Sequence, residues 1–559
     1  MNKVLKSVLN DKNKKHMNRV VMEGIPKHSI LKAPEFVDAL IRDNIKELDP
    51  SIKLVYKGFR YLDPREEYET DKIGTSYDLA MNYLYKIELQ FELDGEPFNR
   101  ILALPFVEEN GSVIKLSDTQ YVMLPVLTEY AINPTGGKVF IRLLKDKLNF
   151  MRQDRPFIVN GILTSLPYIY AHTYKLKSNG IFDKVPLGLY LFYKDGLFET
   201  FKKRAGVDVI ITDKDEEVEK FRETHDVYEV TGKKPKMVKI SNYRPPKFKV
   251  LLPKEHSKNL FAKSLIANLL FAFELYSDFV NLYYKVHYDS LEQERGFWKL
   301  LLAKIIFKDA YEIDKLLSNI QTHLDLLKTY LDVTVKSRLE ELGIYLNDFY
   351  DLIAYVMENY HKLVINSEKR SGDIENRYIE VLYYVLFDII AGINKTFFKI
   401  NENFRNKQAT IKNINSIFNQ ELSPKKIYSI IKNGGTNLAI MGIDYTGDNL
   451  YPKISSILED QNRGRGVKRD KDNAFPPYIR NIRAEDIVFG SILYLPKKSP
   501  TPRLRINPYI EINPNNGKFI IDEYKNFIDI VNSMLEGKLE DDELLDRIIV
   551  DEDDKVEGA

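Results

Sequence analysis

The spacing of apolar residues changes near His256, and this change constrains the fold more than any other feature of the sequence. Before His256, apolar and polar residues mostly alternate, as they do in half-buried strands. Five later segments instead repeat their apolar residues every three to four positions, as on one face of a helix: 258–286, 293–309, 311–331, 334–344 and 346–364. Strands and helices that are segregated along a chain are typical of an α+β protein.

The size and composition of the chain are compatible with several such domains. It has 559 residues, enough for about three to five domains. Its 44% hydrophobic and 29% charged residues are an ordinary balance for a globular protein. We therefore predict a multidomain α+β protein.

Turn residues divide the first part of the chain into predicted strands. Asp94-Gly95 separates two alternating runs within 82–107, which is the pattern of a β-hairpin. Four more stretches are predicted to contain strands: 112–130, 138–144 after Gly136-Gly137, 156–175 around Asn160-Gly161, and 180–250 with a turn at Asp195-Gly196. Beyond the five helical segments, a long helix is predicted from about Arg377 to Lys399 and a short one over 422–432.

The sequence lacks the motifs of the common self-contained active sites. It has no cysteine, which excludes disulfides, thiolate metal sites and cysteine nucleophiles. Its eight histidines occur singly, without an HExxH pair, and neither a GxSxG motif nor a kinase motif is present. The run from Thr135 to Lys138 is similar to the end of a phosphate-binding loop, but Ile132 replaces the first glycine of that motif, which favours a plain turn.

Apolar runs are too short for a membrane helix, which needs about 20 apolar residues. The longest apolar stretch, within 264–286, is interrupted by Glu274, Asp278 and Lys285. The basic residues at the start of the sequence are not followed by the apolar run of a signal peptide. We therefore expect a cytoplasmic protein with no membrane partner.

Positive charge is concentrated in one segment of an almost neutral chain, in which Lys plus Arg number 82 and Asp plus Glu 81. Residues 453–505, called the basic segment below, hold 12 basic and 6 acidic residues, whereas 538–557 hold 10 acidic and 3 basic. A glycine-rich segment with clustered arginines predicts either a phosphate-binding surface or a solvated loop. The acidic residues predict either a solvated tail or a contact with a basic surface of a partner.

Four blocks of sequence motifs indicate a more specific function than the charge distribution does. They are Pro156–Gly161 (PFIVNG), Gly372–Tyr378 (GDIENRY) with the helix predicted after it, the strings LSPKK, GGTNL and DYTGDNL within 422–450, and the strings RNI, FGSI and RIN within 480–507. In this order they resemble conserved blocks of β-type subunits of multisubunit RNA polymerases. The chain is similar to the N-terminal half of such a subunit over about residues 150–520.

This resemblance implies a specific domain organisation, with the helix-rich block inside the lobe domain. Residues 1–160 would form the first part of the protrusion, and 161–367 the lobe, helical from about 258. The remaining parts would be the return of the protrusion (368–436), the fork with the start of the catalytic core (437–540), and an acidic tail (541–559).

The resemblance also implies which residues face nucleic acid. Four basic residues would line the downstream fork and contact phosphates: Arg463, Arg465, Lys468 and Arg469. Asn437 and Asp444 match positions near the nascent RNA, and Arg480 and Arg505 would buttress the active centre. No catalytic residue is expected in this chain, because the Mg²⁺ of such enzymes is held by a DFDGD-like string of a β′-type subunit.

The chain is rich in Lys, Asn, Ile and Tyr, whose codons are AT-rich. A split β-type subunit with this bias resembles the polymerases of phiKZ-like giant bacteriophages. That resemblance implies hetero-oligomeric assembly with a C-terminal β-type fragment, β′-type fragments and a promoter-specificity subunit, on template DNA and RNA. It places the protein in the cytoplasm of the infected bacterium, or alternatively in the virion. Two other interpretations stay open, namely a structural virion protein of the portal or neck type and a stand-alone nucleic-acid-binding factor.

Overall fold

The computed structural model consists of two compact units, one formed by 1–130 with 372–559 and the other by 131–371. It describes the following residues: 32–63, 65–66, 84–105, 113–116, 119–123, 126–129, 132–135, 138–142, 147–173, 185–233, 244–277, 295–307, 312–328, 330–331, 333–340, 342–370, 377–380, 386–405, 407–423, 440–443, 456–459, 503–505, 513 and 517–520. Within these ranges, no helix has the length and apolar character to cross a membrane.

The first unit contains a three-stranded antiparallel sheet covered by helices. The strands are β1 (Leu54–Tyr61), β2 (Leu84–Leu93) and β3 (Glu96–Pro105), and the helices are α1 (Ala33–Lys46), α10 (Phe387–Phe404) and α11 (Ile411–Leu422). The β2–β3 hairpin predicted at Asp94-Gly95 is confirmed, since both turn residues have positive φ, at 51° and 88°. Phe91 of β2 packs against Phe418 of α11, with ring centroids 5.3 Å apart.

Seven short strands form two further sheets in the first unit. One has the order β16-β5-β4, from Ile440–Ile443, Thr119–Met123 and Val113–Leu116. The other has the order β15-β6-β17-β18, from Arg377–Glu380, Val126–Glu129, Ser456–Glu459 and Arg503–Arg505. The strands β4 and β5 form the hairpin predicted within 112–130.

The second unit is built on an eight-stranded sheet. Its main order is β11 (Val185–Pro186), β10 (Ile162–Thr173), β9 (Lys147–Val159), β13 (His225–Glu229), β14 (Lys249–Pro253) and β12 (Ile210–Thr212). The hairpin of β7 (Ile132–Thr135) and β8 (Lys138–Arg142) joins this sheet, because β8 also pairs with β9. The predicted strand after Gly136-Gly137 is thereby confirmed.

Helices complete the second unit, and all five predicted helical segments are confirmed. They contain α5 (Leu260–Leu275), α6 (Arg295–Ile306), α7 (Ile313–Lys328), α8 (Val333–Glu340) and α9 (Phe349–Arg370), while α4 (Asp215–Phe221) lies nearer the sheet edge. Their core is aromatic: Trp298 is fully buried, with its ring 5.1 Å from Phe192 and 6.0 Å from Phe273. Mixed helix and sheet in both units confirms the α+β class.

The structure corrects the prediction of a strand-rich segment with a turn at Asp195-Gly196. This stretch forms α2 (Gly188–Asp195) and α3 (Leu197–Ala205), with Gly196 between them. The physical reason is that Leu189, Tyr190, Leu191 and Phe192 are all fully buried. A short apolar run that is buried on every side has no period, so strand and helix are indistinguishable from sequence.

The helix predicted from Arg377 to Lys399 also needs correction at its start. Residues Arg377–Glu380 form β15, which pairs with β6, and α10 begins only at Phe387. Strand pairing with a segment about 250 residues earlier overrides the local helical spacing here. The short helix predicted over 422–432 lies almost wholly outside the described residues, whereas α11 ends at Leu422.

His323 should make the free energy of unfolding of the second unit depend on pH. It is 3% exposed on α7 and shares a 2.9 Å hydrogen bond between its Nε2 and the Tyr190 hydroxyl. Burial lowers the pKa of His323 to about 3, from 6.5 when it is exposed. Between these values the unfolded chain binds the proton and the folded chain does not, so the free energy of unfolding falls as the pH falls below about 6.5.

We predict that His323→Gln removes this contribution. Between pH 7 and pH 5.5, the wild type should lose about 1 kcal/mol more stability than the variant. Urea unfolding of the full chain can be followed through Trp298, the single tryptophan of the sequence, which reports on the second unit. His361→Gln on the exposed face of α9 is the matched control and should keep the wild-type difference. Identical pH profiles for His323→Gln and wild type would contradict the prediction.

Candidate nucleic-acid interface

The structure describes only one of the eight residues that the sequence assigned to nucleic-acid contacts. Arg505 is the last residue of β18, where its backbone lies opposite Ser456 of β17. The other seven lie outside the described residues: Asn437, Asp444, Arg463, Arg465, Lys468, Arg469 and Arg480. Their assignments therefore stay predictions.

Strands adjacent to the predicted residues are nevertheless described. β16 ends directly before Asp444 and pairs with β5, and β17 ends four residues before Arg463 and pairs with β6. Since β5 and β6 are consecutive strands, both predicted regions are attached to the same stretch of chain, 119–129. The strand before Asp444 and the strand before Arg463 are therefore both paired with strands of the segment 119–129.

The β17–β18 pair fixes where the backbone of Arg505 lies relative to β17. β17 is parallel to β6 and antiparallel to β18, so Arg505 lies beside the first residue of β17. The chain continues toward Arg463 from the other end of that strand.

The PFIVNG block forms a tight hairpin between β9 and β10. Asn160 and Gly161 are its two turn residues, both with positive φ, at 51° and 82°. The Asn160 side chain donates to Oδ1 of Asp226 and accepts from the backbone N–H of Val227, both at 2.8 Å. The turn is therefore tied to β13, and it presents Ile162 and Leu163 to solvent at 69% and 68% exposure.

The described part of the chain contains no group of three histidine or carboxylate side chains that could hold a metal ion. One carboxyl of the second unit has an unusual pKa: burial raises the pKa of Glu274 to about 7, against the opposing effect of Arg155. The Arg155 guanidinium lies over the Phe271 ring, 3.4 Å from its centroid. A single carboxyl such as Glu274, near an arginine that stacks on a phenylalanine ring, is typical of a structural cluster and not of a metal site.

A shallow groove in the first unit was missed by the sequence prediction. It has a volume of about 690 Å³ and is widely open to solvent. We call it the α11 groove, and its walls are Arg100 of β3 and one face of α11, which contributes Ile411, Lys412, Asn415, Ser416, Asn419 and Gln420. Two cations and no carboxylate line it, which makes it a candidate for anion binding.

Arg100 occupies a position that strand alternation would give to an apolar side chain. It shares a face of β3 with the buried Phe98 and Leu102. Burial lowers the pKa of its guanidinium, although an arginine stays charged at neutral pH. An arginine on the apolar face of a predicted strand is a sequence signal that could have singled out Arg100, but it does not indicate which helix Arg100 meets.

A comparison with protein-family models gives the family of the chain. A model for subunits of non-virion RNA polymerases matches residues 2–536. The chain belongs to this family. The match includes both described units and all eight predicted contact residues, and it supports a role in RNA synthesis beside other polymerase subunits. A search of curated proteins returned no match.

We predict that Asn160 stabilises the second unit through both its backbone and its side chain. Asn160→Gly keeps the left-handed turn and the backbone hydrogen bond to the Val227 carbonyl, but loses the side-chain contacts with Asp226 and Val227, which should cost about 1 kcal/mol. Asn160→Ala loses the same side-chain contacts and keeps a β-carbon in a left-handed backbone without the asparagine amide that favours this conformation, so it should be about 1 kcal/mol less stable than Asn160→Gly.

Urea unfolding monitored by Trp298 fluorescence gives both free energies. Thr164→Ala, at an exposed position on the same hairpin, is the control and should change stability by less than about 0.5 kcal/mol. Equal stabilities for Asn160→Gly and Asn160→Ala would show that the turn conformation is not the constraint we infer.

Proposed function

We propose that this chain is the N-terminal fragment of a split β-type subunit in a multisubunit phage RNA polymerase. Its proposed role is DNA-dependent RNA synthesis, in which it forms one side of the DNA cleft and contacts template DNA and nascent RNA. The observation that carries the proposal is the family match over residues 2–536, since it includes all four collinear motif blocks. The proposed architecture is that of protrusion, lobe and fork.

In this proposal the chain is not catalytic alone. Nucleotidyl transfer requires two metal ions held by a cluster of carboxylates, and the resemblance places that cluster on a β′-type partner. The described residues of this chain offer no comparable group. By that resemblance, Mg²⁺ would be bound in the assembled enzyme by the partner, and this chain would contribute to the walls of the cleft.

The proposed nucleic-acid contacts follow from the resemblance and, for the basic segment, also from its charge. The basic segment, with 12 basic and 6 acidic residues, would lie along DNA phosphates through Arg463, Arg465, Lys468 and Arg469. Asn437 and Asp444 would lie near the RNA, and Arg480 and Arg505 near the active centre. The attachment of β16 and β17 to neighbouring strands supports placing these regions in one part of the molecule.

The proposed partners are a C-terminal β-type fragment, β′-type fragments and a promoter-specificity subunit. The proposed location is the cytoplasm of the infected bacterium, and the term non-virion in the family description favours this over packaging in the virion. A portal or neck protein would assemble into a ring of identical chains, and the polymerase family match weighs against that alternative.

We predict that the chain purifies from infected cells in a hetero-complex. One partner should carry a DFDGD-like string, and the complex should synthesise RNA on a DNA template in the presence of Mg²⁺. Affinity purification followed by mass spectrometry of the partners tests this. A homogeneous ring of this chain alone would refute the proposal.

We also predict that Arg465→Ala combined with Arg469→Ala weakens the complex on duplex DNA and lowers its transcription. The slope of log affinity against log salt should decrease by up to about 1.8, because each lost phosphate contact removes about 0.9. The control replaces two exposed cations of the second unit, Lys202→Ala with Arg222→Ala. An unchanged slope in the fork variant would contradict the assignment of these arginines to DNA.

A further inference from the structure

We infer that the α11 groove binds the phosphodiester backbone of a nucleic-acid strand. The inference relies on polymerase family membership and on the groove itself, and it is independent of the β-type assignment. The groove lies in the first unit, on residues that no motif block includes. It would be a contact additional to those proposed for the basic segment.

The wall formed by α11 has the spacing of a linear binding surface. Lys412, Ser416 and Asn419 follow one another at intervals of four and three residues, and each is exposed. Residues at such intervals lie on one face of a helix. From Lys412 to Gln420 this face is about 12 Å long, which corresponds to about three nucleotides at ~3.4 Å of rise per nucleotide.

The chemistry of this face suits phosphate oxygens. Lysine, arginine, serine and asparagine side chains all donate hydrogen bonds to phosphates without reading the base sequence. Lys412 lies in the first turn of α11, where the helix dipole adds to the positive potential. None of the residues that line the groove is acidic, so bound phosphates would meet no like charge from its walls.

Arg100 gives the groove a positioned cation rather than a mobile surface charge. Its Nε–H donates to Oδ1 of Asn415 at 2.7 Å, which holds the guanidinium against α11. The side chain is part-buried between β3 and the helix, and the contact orients the remaining guanidinium N–H groups relative to the groove. A guanidinium in a fixed orientation loses little side-chain entropy when it binds a phosphate.

Two lysines of α10 lie close to one end of the groove. Lys395 and Lys399 lie beside the C-terminal end of α11, where their Nζ atoms approach Oε1 of Glu421 at 2.9 and 2.8 Å. Lys399 also donates to Oε1 of Gln420 at 3.4 Å, so this pair adjoins the lined groove. Two lysines share a single carboxylate that is only 5% exposed, so these three side chains together carry a net charge of +1.

The decisive variants remove the two groove cations from the full chain in the assembled polymerase. Arg100→Gln and Lys412→Gln should each lower affinity for nucleic acid about five- to eightfold at 0.1 M salt, and should lower the salt slope by about 0.7 to 0.9. Lys412 is exposed, so its variant leaves the core intact even if Arg100→Gln proves unstable. Lys362→Gln, at an exposed position on α9, is the matched control and should bind like wild type.

The same complex can identify which strand occupies the groove. A photo-crosslinking amino acid in place of the exposed Asn419 should label either the DNA template or the nascent RNA when each is labelled separately in a transcribing complex. A crosslink to one of them, together with the reduced salt slope of Lys412→Gln, would support the inference. Absence of a crosslink to both strands, or an unchanged slope in Lys412→Gln, would overturn it while leaving the polymerase proposal intact.

Discussion

The register of the β9–β10 hairpin is the constraint on which the second unit depends. Twelve residue pairs run from Ile162 opposite Val159 to Thr173 opposite Leu148, and the other edge of β9 pairs with β8 and then with β13. A slip of one residue would turn Leu166 and Tyr168 to the opposite face of the sheet. Tyr168 packs on Phe271 of α5, with ring centroids 4.9 Å apart, so helix packing depends on the same register. The Asn160-Gly161 turn, tied to Asp226 and Val227, sets that register locally.

Local signals in the sequence were sufficient for much of this fold. Asp94-Gly95 and the alternation on both sides of it predicted β2 and β3, and the helical spacing after His256 predicted α5 to α9. The failures have a common physical cause, because the missing information lies elsewhere in the chain. Residues 188–192 are buried on every side by other elements, so they have no amphipathic period, and Arg377–Glu380 becomes a strand because β6 provides the partner.

The candidate sites differ in the same way: some are recognisable from neighbouring residues in the sequence, and others form only when distant residues meet in the fold. The four motif blocks are readable in the linear sequence, and the family match over 2–536 agrees with the polymerase role they suggested. The α11 groove was not readable in this way, because Arg100 and Asn415 are 315 residues apart and meet only in the fold. The near-neutral total of 82 basic and 81 acidic residues concealed the basic segment, and it also gave no sign that Arg100 and Lys412 line one groove.

The central claim is that this chain forms one side of the DNA cleft in a phage RNA polymerase. A structure of the assembled enzyme on a DNA template tests it most directly, because that structure would show where the chain lies relative to DNA and to the metal-binding subunit. We predict that residues 463–469 contact the phosphates of the downstream DNA and that 437–507 adjoin the subunit with the DFDGD-like string. A chain located at the periphery of the enzyme, with no residue near the DNA, would contradict the claim.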